Sequence, residues 1–138
     1  MKIENIIDNN TVLASVIYKE KLETGIKFFT PNEASLQVGK HSYQAGKVIK
    51  PHKHNPVKIE RFESFQEVLY IEKGKLKVLF YTDEGIKIDE RILSSGDIVL
   101  LINGGHGFEI MEDLEMIEIK QGPFLPESKK ELTINGKK

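Results

Sequence analysis

Four histidines are the residues of this chain best suited to chemistry, and two of them lie in Pro51-His52-Lys53-His54. In an extended strand, residues two apart share a face. His52 and His54 then present two imidazoles side by side, with Lys53 directed away. Such a pair suits a divalent metal ion, since neutral imidazole is a common metal ligand. The same residues in a Lys- and Pro-rich turn also read as exposed side chains that bind nothing. His41 and Tyr43 share a face with Gln37 on an earlier segment. Together they offer acid–base groups, or simply a polar strand exterior. There is no cysteine, which removes thiolate metal sites, disulfides and cysteine nucleophiles together. No Ser-His-Asp arrangement, phosphate-cradling glycine loop or paired-carboxylate site stands out as a better candidate.

The elements that must position these residues are short strands ended by turn residues. Residues 34–45 alternate loosely and stop at Gly46. Residues 67–72 form a strand, and Lys73-Gly74 turns the chain. In 75–82, Leu76, Val78 and Phe80 face one way and Lys75 and Lys77 the other. Asp83-Glu84-Gly85, Ser94-Ser95-Gly96-Asp97 and Asn103-Gly104-Gly105 are further turns. Residues 98–102 form a continuous apolar run, the mark of a strand buried on both faces. Strands at 106–111 and 115–120 follow. Residues 1–10 read equally as a short helix or an edge strand. The tail from Pro123 is rich in Lys, Glu, Pro and Gly and is expected to pack loosely. No long segment has a helical period. The rhythm predicts an all-β sandwich or barrel.

At 138 residues the chain suits one domain with its own core. Charged residues make up 30% and apolar residues 39%, as in ordinary globular proteins. A net charge of -1 supplies no electrostatic reason to expect nucleic acid or an acidic membrane as partner. Charges interrupt the first ten residues too early for a signal-peptide core. No apolar run approaches the ~20 residues that span a bilayer. A cytoplasmic protein is expected, with a small molecule as ligand and neither nucleic acid nor membrane as partner.

Five residues separate Gly46 from His52, Glu67 opens the next strong strand, and Gly74 ends it after six intervening residues. A second block starts at Gly96-Asp97 and reaches Gly-Gly-His at His106. This order resembles the two cupin motifs, written Gly-x5-His-x-His-x(3,4)-Glu-x6-Gly and Gly-x5-Pro-x-Gly-x2-His-x3-Asn. The resemblance covers residues 40–120. Twelve residues separate His54 from Glu67, where the motif has three or four. Asn103 takes the tight-turn place, the motif's Pro is missing, and Ile110 stands where its Asn would be. The resemblance implies a single-domain cupin jelly-roll β-barrel over 1–138, with its motif region at 46–109. It also implies one divalent metal ion held by His52, His54, Glu67 and His106, although one residue, not two, separates Gly104 from His106. Imidazoles and a carboxylate without thiolate suit Fe, Mn, Ni, Cu or Zn.

Residues 104–109 and Lys120-Gln121-Gly122-Pro123-Phe124 look like small cupins linked with sugar or surface-polysaccharide metabolism. That likeness implies a small polar or anionic ligand. Three functions stay open: an isomerase or epimerase of a sugar derivative, a metal-dependent dioxygenase, and a non-catalytic binding cupin with a structural metal. Substrate contacts are expected from Phe108, which follows His106 on its face, from His41 and Tyr43, and from Arg61. Arg61 lies in the 55–66 connection, where its guanidinium suits a carboxylate or phosphate. That connection also reads as a solvated loop. Cupins commonly pair, and Val12, Leu13, Val16 and Ile17 suit an added edge strand, so a homodimer is expected.

Overall fold

The computed structural model describes residues 2–20, 23–58, 64–123, 126 and 130–134. Eight strands occur among them: β1 (Ile3–Asp8), β2 (Thr11–Ile17), β3 (Gly25–Phe28), β4 (Gly39–Ser42), β5 (Glu67–Tyr81), β6 (Lys87–Ser94), β7 (Ile98–Leu101) and β8 (Gly105–Lys120). The chain divides into two compact units, residues 21–64 and the remainder. Among the described residues no helix is long and apolar enough to cross a membrane.

The larger unit is one antiparallel sheet in the order β1-β2-β7-β5-β6, with β8 on the other edge of β5. The ambiguity over the first ten residues resolves as a strand at Ile3–Asp8. Asn9 and Asn10 both adopt positive φ, 45° and 66°, and so close a two-residue hairpin that matches strand twist. That hairpin pairs β1 with β2 from Ile3↔Ile17 to Asp8↔Thr11.

The strands expected at 67–72 and 75–82 are a single strand bent at the expected turn. β7 pairs with Glu67 to Tyr70, and β6 with Lys75 to Tyr81, end to end along one edge. β8 follows the other edge throughout, with register shifts between Ile71 and Leu76. Gly74 sits at this corner with φ +88°, and a Cβ there would overlap the Asp113 carbonyl oxygen on β8. Turn chemistry at Lys73-Gly74 thus redirects the strand without freeing it from its partner. The shifts act as bulges, which sharpen bending and change which residues face inward. Before the corner the inward residues are Leu69 and Ile71; after it they are Leu76, Val78 and Phe80.

The sheet therefore curls strongly, into a half-barrel. Its end strands meet: Arg91 Nε of β6 lies 2.8 Å from Glu4 Oε2 of β1. The concave face holds the core of Ile6, Leu13, Val16, Leu69, Ile71, Leu76, Val78, Phe80, Leu93, Val99 and Leu101. Each large side chain so buried stabilises the fold by about 1.5–3 kcal/mol. β7 is buried on both faces as its composition predicts, with Val99 inside and Leu100, only 1% exposed, on the opposite face.

In the smaller unit β3 pairs with β4, from Gly25↔Ser42 to Phe28↔Gly39. β4 is shorter than the 34–45 alternation suggests. Gln37 is drawn into the preceding loop, where its amide donates to the Pro31 carbonyl and accepts from the Thr30 hydroxyl. It therefore does not extend the strand that carries His41. Residues 48–58 form no strand.

Candidate metal centre

Glu67 opens β5 on its inner face, in step with Leu69 and Ile71, and is half-buried. His106 stands near the start of β8, opposite Phe80. In a flat sheet the thirteen positions from Glu67 to Phe80 would separate the two by ~43 Å at about 3.3 Å per residue. Instead, His106 Nε2 lies 3.4 Å from Glu67 Oε2. The Gly74 corner makes the difference, because it folds one end of the β5–β8 ribbon over the other. The neighbouring His106 imidazole holds the Glu67 carboxyl below the usual carboxylate range, against partial burial, and the Lys120 ammonium adds to the effect.

Two residues not singled out from the sequence share this inner face. Lys120 is paired in register with Glu67, and Glu118 with Leu69. Lys120 Nζ lies 4.0 Å from Glu67 Oε1 and 3.3 Å from Glu118 Oε1. The alternation of Met116, Glu118 and Lys120 was visible in the sequence. Their alignment with Glu67 depends on the β5–β8 register, which was not. Just before Glu67, the Gln66 backbone N–H donates to Gln121 Oε1 at 2.8 Å. Gln66 Oε1 is buried and has no partner among the described residues. Phe108 packs beside His106, ring centroids 5.3 Å apart, and stays 37% exposed.

His52 and His54 belong to the smaller unit. Their ring centroids are 5.4 Å apart, edge to face, but no strand carries them, so they do not share the strand face that the His-x-His spacing predicts. His52 Nδ1 lies 3.0 Å from the Lys50 carbonyl oxygen. A carbonyl can only accept, so Nδ1 carries the proton in this contact, which is the usual outer contact of a metal-binding histidine. His41 and Tyr43 meet edge to face at 6.0 Å. Tyr43 lines an open hollow of about 510 Å³ with Thr24, Gly25, Gln44, Ala45 and Lys47. Arg61 lies outside the described residues.

The structure thus brings together Glu67 with His106, and separately His52 with His54. Within neither unit do three His, Asp or Glu side chains converge among the described residues. Glu67 and His106 are nonetheless spaced as two ligands of a first-row divalent metal would be. Donors about 2.0–2.2 Å from one ion stand roughly 3.0–3.5 Å apart at ordinary coordination angles, and the Glu67–His106 gap falls in that interval. No family model, curated protein or solved structure matches the chain.

Proposed function

We propose that this chain is a metal-binding cupin in which His52, His54, Glu67 and His106 together hold one divalent ion. The observation that supports this reading most is the Glu67–His106 contact, made across a corner that brings together residues far apart in register. Two donors aimed at each other from the inner face of a curled sheet form the start of a ligand set. His52, with Nδ1 held by the Lys50 carbonyl, would offer Nε2 as a further ligand. The strand order and the Gly74 corner support a jelly-roll barrel closed around this centre.

The chain binds or converts a small polar or anionic molecule. A divalent ion there would polarise a carbonyl or enediolate oxygen. Glu67 supplies the one negative charge of the set, and His106, braced by Phe108, orients its imidazole toward it. The metal found in protein purified without added metals separates the two chemistries: iron favours oxygen chemistry, zinc or manganese isomerisation.

The test is elemental analysis after reconstitution with one divalent metal. Wild type is expected to hold about one ion per chain. His106→Ala and Glu67→Gln should lose most of it, while His41→Ala should keep it. Metal at a hundredfold excess over its Kd should also stabilise wild type by about 2.7 kcal/mol in thermal unfolding. Equal metal content in all four proteins, or none in wild type, would overturn the reading.

A further inference from the structure

The inner face of β8 is polar at one end and apolar at the other. Lys120 and Glu118 stand beside Glu67, while Ile110 and Phe108 lead up to His106. The ends meet because His106 touches Glu67, Glu67 faces Lys120, and Phe108 packs on His106. Lys120 is about half exposed at its side chain, and Phe108 and Ile110 are 37% and 59% exposed. An ammonium and an aromatic face are therefore both partly exposed beside one candidate metal centre.

Charge decides what can enter. Two carboxylates, Glu67 and Glu118, face one ammonium, Lys120. With His106 neutral, as a metal ligand must be, the cluster carries net negative charge and repels anions. A divalent ion reverses that sign and leaves Lys120 with excess positive potential around it. Phe108 then selects among anions, because a flat apolar body covers an aromatic ring better than a ring of hydroxyls does. We infer that the ligand of this centre is a carboxylate with a flat apolar body, its charge held by Lys120 and its body laid on Phe108, and that it binds only when metal is present. The inference rests on the metal-centre reading above and narrows its ligand class away from sugars.

Benzoate is the probe, titrated into zinc-reconstituted protein by calorimetry, with benzyl alcohol and glucuronate as comparisons. Wild type should bind benzoate at least tenfold more tightly than either comparison, and chelator-stripped protein should lose the binding. Lys120→Met should weaken benzoate at least tenfold and leave benzyl alcohol unchanged. Phe108→Ala should weaken benzoate several-fold and glucuronate little. Metal content and melting temperature of both variants show that they are folded and loaded. Zinc-loaded wild type that ignores benzoate, binds glucuronate as tightly, or is indifferent to Lys120→Met overturns the inference and leaves the metal reading standing. Wild type that takes up no zinc overturns both.

Discussion

Asp97 illustrates how one side chain can anchor a turn. It is 8% exposed, and its two carboxylate oxygens accept from the Lys19 and Ser94 backbone N–H groups, each at 2.8 Å. The first bond ties the segment after β2 to the β6–β7 turn; the second closes the turn itself. Asp97→Ala leaves two donors short of their acceptor in a site that excludes most water. The expected loss is about 1–3 kcal/mol, read as a lower urea midpoint at unchanged slope. An unchanged midpoint would mean that water replaces the carboxylate at no cost. The Ser94-Ser95-Gly96-Asp97 turn was evident from residue types. That its aspartate also holds a segment 78 residues away in sequence was not.

Among the strands, the decisive feature is the corner shared by β5 and β8. Gly74 occupies a left-handed conformation that other residues enter at roughly 1–2 kcal/mol, and a Cβ there would meet the Asp113 backbone. Gly74→Ala should therefore destabilise the chain by about 2 kcal/mol or more. Because the corner carries Glu67 toward His106, the same variant should lower metal content under the reconstitution conditions described above. Gly25, with φ +130° and open space around its missing Cβ, is the control: its alanine variant keeps the β5–β8 corner intact. A Gly74→Ala protein with wild-type stability would show that the corner does not depend on glycine. The sequence pattern located a turn here, since Lys-Gly between alternating runs is turn chemistry. It could not show that the strand continues through the turn, because that depends on β8 bending with it.

Across the larger unit, the curl is clasped where its end strands meet. Glu4 on β1 accepts from Lys2, from Arg91 on β6 and from the Tyr18 hydroxyl. These contacts, Lys2 first and then Arg91, lower its pKa to about 2. A carboxylate with a depressed folded-state pKa contributes stability above its unfolded pKa of about 4.3 and loses it as pH falls toward the folded value. The melting temperature of wild type should exceed that of Glu4→Gln at pH 7. The gap should narrow between about pH 4.5 and pH 2 and shrink with added salt, since the pair is partly exposed. A gap that stays constant across that window would show that the clasp acts through shape and not through charge.

Residue types and spacing alone determined the strand rhythm, the apolar run at 98–102, the turns and the candidate ligands. Each of these is a local property: alternation, turn chemistry and a pair of imidazoles two residues apart are complete within a few residues. Tertiary structure decided that 67–81 is one bent strand, that Ile3–Asp8 extends as an edge strand, and that Gln37 belongs to a loop. It also placed Glu118 and Lys120 beside Glu67 and brought His106 to 3.4 Å from that carboxylate. Those facts depend on which strands pair, in what register, and how sharply the sheet bends. The free energy that settles them lies in contacts between residues distant in sequence, which no short window contains.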